Sequence, residues 1–584
     1  MQEEPKYKNI DLVEQFYKEN VDLKAIQKAR ASKKPVTSGL EPYTGEFGKA
    51  QKKHLLNRTM MGYAHRHYKD IENLTLDQAL DLIFTPETKP DPPVNDYYHE
   101  VSKEEIEAQG HVYVEPGTSY VETSEPKVPP IQRYQSFYSW LLNLQVNQST
   151  KIHWKLVFFL HNLLPASQGT VKMLYPHYMM LFNYSFRPYH KTIKALTLDP
   201  LMLFYLNLQI SQKQSPDENY ARELQELFTI GKGPNAQYTE YDIIAASRVL
   251  TGWQYSGNSL INEGPIQTIF NSAKHDPGTK NFSSFYGNRT IDGKMGNDGA
   301  LELDELIEMI FETQECALYL SRRLYQFFVN PIINETAEVN IIKPLSEILR
   351  NNNFQLDIPL RVLLKSEHFF DSSFYFSLIK APTEFMFGFM KEFEFEFKNY
   401  ESKGDIPAKY INQDTTNFYK YKAIDWYMNN IGLRYIYPPS VSGWPAYYQA
   451  PVYDLFWINS ITISERTKIG EQFGKWGLTL GPGDSGGWVQ LVIDRAKYVT
   501  SLDDPTNLES VIEQVSERLL ASPMSEETRN RIKNAILDGQ SESHFTELVQ
   551  AYLDDPSEEN KNVLSGRLED LFAGIFKLGE FQLF

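Results

Sequence analysis

Apolar residues recurring at helical spacing dominate residues 136 to 251, in aromatic-rich runs such as FYSWLLNLQV, KIHWKLVFFLHNLL and YHKTIKALTL. The strict alternation of a half-buried strand is scarce. A chain patterned this way buries its apolar faces by packing helix on helix, which predicts a mainly α fold with a multi-helical, bundle-like core. With 584 residues, 41% of them hydrophobic and 14% aromatic, there is enough apolar material for a large core and more than one domain. That core is expected over residues 46 to 480. Ahead of it, residues 1 to 45 read as a charged, proline-punctuated arm. Residues 85 to 132, where Pro and Glu recur beside β-like pieces such as HVYVEP, read as an inserted loop or hairpin. Residues 254 to 299, rich in Gly, Asn and Ser, read as a long irregular loop. GPGDSGGW at 481 to 488 marks a linker, and a smaller helical region follows to 584.

Charge and cysteine content narrow the function classes. The 58 basic and 75 acidic residues leave a net charge of −17, which disfavours a broad nucleic-acid or anionic-membrane surface. Cys316 is the single cysteine, so an internal disulfide framework, a multi-thiolate metal site and a c-type haem attachment are excluded. Its place in CALYLSRRLYQFF points to packing. No run of 18 or more apolar residues occurs, so no transmembrane helix is expected. The N-terminal residues lack the apolar core of a signal peptide, which fits either a cytoplasmic protein or an exported one whose leader has been removed. The sequence contains no Gly-x-Ser-x-Gly elbow, Walker loop, dinucleotide fingerprint or His-Glu-x-x-His. The Gly-Asp-Ser-Gly-Gly around Ser485 matches the surroundings of a trypsin-like nucleophile, but its helical context lacks the β-barrel that chemistry needs.

The densest chemistry lies in SPDENYARELQELFTIG, from 215 to 231. Ser215, Pro216 and Glu218 resemble a capping-box start and Gly231 a stop, so a helix is expected from about 216 to 230. Glu218, Arg222 and Glu226 are spaced four apart on one face, with Glu223 beside an apolar face of Leu224, Leu227 and Phe228. Such a face is either a solvated ion-pair ladder or the wall of a polar pocket. In the pocket case, three carboxylates beside one arginine leave surplus negative charge. That surplus raises a carboxyl pKa or attracts a divalent cation.

Other candidates are spread along the chain. His275, Asp276 and Lys280 share a loop; a His-Asp pair with a lysine can bind an anion, ligate a cation or move a proton, while Asp-Pro-Gly is also a plain turn. His161 interrupts an apolar helix, where a histidine is either a hydrogen-bonded core residue or a ligand. Thr239 and Asp242 read as a capping pair, and Arg248 as a cation near that helix's C-terminal end. Trp444, in the rigid turn YPPSVSGWP, either packs on the core or joins Trp253 in flooring a sugar or peptide cleft.

ENYARELQELFTIG followed by YTEYDIIAASRVLTGW, HDPGTKNFSSFYG at 275 to 287 and YPPSVSGWP at 437 to 445 together resemble the bacterial family called domain of unknown function 1800 (DUF1800). HLLNRTMMGY near His54, LDPLMLFYL near Asp199, KAPTEF at Lys380 and the final GEFQLF agree with it. The resemblance implies export, to the periplasm or cell surface, and no established activity. It also implies a partner, because family members are often encoded beside a sulfatase-like protein of a second family, DUF1501. Where the family often carries His-Asn-His, this chain has His161, Asn162 and Leu163, so a metal site needing both histidines is incomplete here.

Two functions are therefore carried forward. The first is an exported binding or assembly partner of a DUF1501-like protein. The alternative is a hydrolase with a Glu/Arg/His polar pocket, with or without the assistance of a divalent metal. In it Glu223, Glu226, His275 and Asp276 supply the acid–base groups, and Arg222, Glu218, Lys280, Trp253 and Trp444 hold the substrate. His161, Glu226 and His275 are then the metal ligands.

Overall fold

The computed structural model describes residues 35–95, 103–108, 110, 112–124, 131–393, 395–399, 413–480 and 489–584. Most of the expected N-terminal arm, parts of the 85–132 insertion and the 481–488 linker with Ser485 lie outside the described residues. Helix predominates among the described residues and strand is scarce, so the fold is mainly α. No helix among the described residues is long and apolar enough to cross a membrane.

All eleven residues of the helix His153–Leu163 are buried. Its sequence, HWKLVFFLHNL, is apolar on nearly every side, and such a helix belongs at the centre of a large core. Each Leu or Phe buried there contributes about 1.5–3 kcal/mol relative to exposure. The helix Val171–Tyr184 packs against it, and Gln413–Asn430 packs against Ile131–Val146. Local signals place the ends of several helices. Thr75 and Gln78 form a capping box that opens Leu76–Ile83, and Thr239 and Asp242 form one that opens Glu240–Val249. Cys316 is buried in the helix Gln314–Phe328, where burial pushes its thiol well up.

The 254–299 segment is more ordered than its composition suggests. It holds two short antiparallel hairpins, Trp253–Tyr255 with Thr268–Phe270 and Lys280–Asn281 with Thr290–Ile291. Strands of three and two residues are too short for a period-2 pattern to stand out.

A three-stranded sheet joins the later chain to the earlier. Val489–Ile493 lies between Phe395–Asn399 and Leu478–Leu480, antiparallel to both. The helix Glu558–Phe576 packs along Ser460–Lys475. The approach is close enough that a Cβ on Gly474 would come within 2.4 Å of the Ala573 backbone nitrogen. Only glycine permits that contact.

Candidate functional site

The charged helix is shorter than expected and changes type. Its α-helical part is Glu218–Glu223, with Asp217 as the N-cap instead of Ser215. It continues as a π-helix, Leu224–Thr229, a geometry that is rare and frequent at functional sites. The carbonyls near its end are taken by tyrosines, two of them from distant segments. Tyr319 donates to Leu227 O at 2.5 Å, Tyr189 to Phe228 O at 2.9 Å and Tyr238 to Gly231 O at 3.1 Å. Gly231 closes the element as expected. It sits at φ +85°, where a Cβ would come within 2.5 Å of the Tyr319 ring.

The four charged residues form a partly exposed ladder. Arg222 holds Glu240 with two hydrogen bonds, of 2.6 and 2.8 Å, and reaches Glu218 at 3.3 Å and Glu226 at 3.4 Å. Lys232 pairs with the other oxygen of Glu226. The Glu240 hydrogen bond pushes Arg222 up, and the same contact pulls Glu240 down. Glu223 is half-buried, and burial, aided by the charge of Glu226, raises its carboxyl. Glu240 supplies a fourth carboxylate that the helix's own spacing does not contain.

His275, Asp276 and Lys280 are brought together, and they gain partners the sequence did not suggest. Nε2 of His275 faces Glu302 Oε1 at 3.1 Å, and Nδ1 faces the Thr251 carbonyl at 3.0 Å. Lys280 pairs with the other Glu302 oxygen, and the Lys294 N–H donates to Oε1 at 2.7 Å. Both side chains of the Lys280–Glu302 pair have 0% exposure. Burial alone would raise Glu302; the bonds from His275, Lys280 and Lys294 outweigh it and hold the carboxyl below its usual range. Burial likewise lowers Lys280 against the pull of Glu302.

Asp276 performs the turn role and an ionic one at once. Its Oδ1 accepts from the Gly278 N–H at 2.8 Å, and Oδ2 accepts from Arg248 Nε at 2.6 Å. Arg248 also donates to Thr279 O at 3.1 Å, so it ties the helix Glu240–Val249 to the loop where a plain cap was expected. The HDPGTK segment is thus pinned through Arg248, Thr251 and Glu302. A fully paired buried charge network of this kind rigidifies the backbone that carries it.

His161 is fully buried and has a different set of partners. Its Nε2 lies 3.0 Å from both the Tyr435 carbonyl and the Tyr178 hydroxyl, and donating to the carbonyl requires the proton on Nε2. Nδ1 has no protein partner. Burial, then the neighbouring His177, pushes its pKa down to about 3, so the ring is neutral. Trp444 is buried, with its ring 5.4 Å from that of His161, and its backbone N–H donates to Asn162 Oδ1 at 3.0 Å. It packs inside the core and forms no cleft wall. Trp253 is half-buried in its hairpin, against Phe270 at 4.9 Å. Among the described residues no three His, Cys, Asp or Glu side chains are grouped so as to hold a metal ion. His161, Glu226 and His275 each answer to separate partners.

One pocket went unnoticed in the sequence, although two of its motifs did not. KAPTEF and GEFQLF meet there: Ile379 bridges Leu583, the Lys380 N–H donates to Gln582 O at 2.8 Å, and Arg466 reaches both the Lys380 carbonyl and the Gln582 side chain. Lys53, Lys380, Glu384, Glu392 and Arg518 line a cavity of about 30 Å³. Beneath it Glu384 and Lys155 form a buried ion pair, with side-chain exposures of 4% and 3%.

The model of a family described as "Protein of unknown function (DUF1800)" matches residues 54–583. The chain matches no curated protein and no solved structure.

Proposed function

We propose, from the premise that this chain belongs to the DUF1800 family, that it acts by binding, as an exported assembly partner of a co-encoded sulfatase-like DUF1501 protein. One observation carries the binding half of this reading. The charged side chains of the family signatures are engaged by other side chains of the same fold: Arg222 by Glu240, Asp276 by Arg248, and Lys280 and His275 by Glu302. A general base or nucleophile has to reach a substrate. Groups held in internal pairs serve instead to fix the backbone on which a binding surface is built. Export and the identity of the partner rest on the family resemblance.

Co-expression of a tagged chain with the neighbouring DUF1501-like protein tests the reading. The expected result is co-elution in fixed ratio through affinity and size-exclusion steps. Separate elution of two well-folded proteins would defeat the assembly role. Turnover of an ester, phosphate ester or sulfate ester in the presence of a divalent metal, lost in Glu226→Gln or His275→Gln at unchanged stability, would favour the hydrolase instead.

A further inference from the structure

We propose that the pocket where Lys380 meets Phe581 is a binding site for a small oxyanion, either a carboxylate or a tetrahedral sulfate or phosphate group. The inference is independent of the assembly role.

Three cations converge on this pocket, and none has a carboxylate to itself. Lys53 donates to the carbonyls of Glu517, at 2.6 Å, and Leu520; Lys380 donates to the carbonyl of Phe581 at 2.7 Å. Arg518 lies 5.7 Å from the Tyr498 ring and hydrogen-bonds the Tyr498 hydroxyl, a neutral partner. Among the described residues none of the three forms an ion pair within 4.0 Å, although each ammonium carries three donors and the guanidinium five. The two glutamates of the pocket are occupied elsewhere. Glu384 is spent on Lys155 and the Thr383 hydroxyl, and Glu392 accepts from the His65 N–H at 2.6 Å and the Tyr498 hydroxyl at 2.7 Å.

The surroundings deepen the positive surplus. Arg466 is fully buried and spends its donors on the neutral Lys380 carbonyl and Gln582. Burial, then Lys53 and Arg466, pushes Lys380 down to about 7 against the pull of Glu384. Burial, then Lys49, pushes Lys53 down to about 8 against Glu517 and Glu392. Both ammoniums are half-buried, and a bound anion would offset the cost of desolvating them while favouring their protonated forms. The cavity of about 30 Å³ admits an oxyanion headgroup. The net charge of −17 disfavours diffuse anion binding elsewhere, so saturable binding would report a local site.

The test is calorimetric titration of the full chain with sodium sulfate and, separately, sodium acetate at pH 6.5, with ionic strength held constant by chloride. Saturable binding of at least one anion is expected, weakened at least tenfold in Lys380→Met and in Arg518→Gln. Binding should also weaken at pH 9, where Lys380 and Lys53 have lost their protons. A response to sulfate alone assigns a tetrahedral group, and a response to acetate alone assigns a carboxylate. Arg518→Gln alters a half-buried side chain outside the buried core, so it keeps the test valid if Lys380→Met does not fold. No saturable response to either anion, or unchanged affinity in Arg518→Gln, would overturn the proposal.

Discussion

Replacing Glu302 with alanine should destabilise the protein by about 3–5 kcal/mol, the usual cost of removing one partner from a buried ion pair. The substitution strands Lys280, which has 0% exposure, and takes the acceptor from His275 Nε2 and the Lys294 N–H. Urea unfolding followed by circular dichroism reads the loss as a lower midpoint. A shift equivalent to less than about 1 kcal/mol, the scale of an exposed ion pair, would show that the network is not buried in solution. The pH dependence has a definite sign. Because Glu302 is held below its ordinary carboxylate range, its contribution is full above the unfolded pKa, near 4.5. It is lost as pH falls through the lower folded value. Asp276, held down by Arg248 and the Gly278 N–H against burial, adds in the same direction. In Glu302→Gln the acid-side loss of stability should be shallower than in the unmodified chain.

Lys155→Leu and Glu384→Leu should each cost about 3–5 kcal/mol, and the double substitution less than the sum of the two. The two singles differ in what they strand. Loss of Lys155 leaves a carboxylate still facing Arg58, Lys380 and Arg466, all of which feel its charge. Removing Glu384 leaves those cations and Lys155 together without it. Glu384→Leu is therefore expected to be the worse single and to lower Lys380 further, with the double falling between the singles. Midpoints from chemical denaturation of the three variants decide this. Strict additivity would mean that the pair is not coupled.

Helix positions were legible because the apolar period is strong and the caps are local. Thr75 with Gln78 and Thr239 with Asp242 lie three residues apart and need nothing from the rest of the chain. The π-helical turn was not legible. Its carbonyls are held by Tyr189 and Tyr319, which reach it from 39 and 92 residues away. Glu302 was hidden for a related reason. It shares the first turn of Glu302–Glu312 with Asp304 and Glu305, and no local signal says which acid turns inward. Its partners Lys280 and His275 lie 22 and 27 residues earlier. The HDPGTK residues were thus recognisable as a group while the carboxylate that completes them was not. In the pocket, KAPTEF and GEFQLF were both visible as motifs, but their meeting spans 201 residues and depends on tertiary packing.

The polar signature residues hold the fold through internal charge pairs. A double-mutant cycle on Lys280 and Glu302, with Lys280→Met, Glu302→Gln and the double unfolded in urea at pH 7, tests this most directly. The expected result is two large single effects and a double that costs clearly less than their sum, with a coupling energy above about 1 kcal/mol. Single effects that add to within about 0.5 kcal/mol would contradict it.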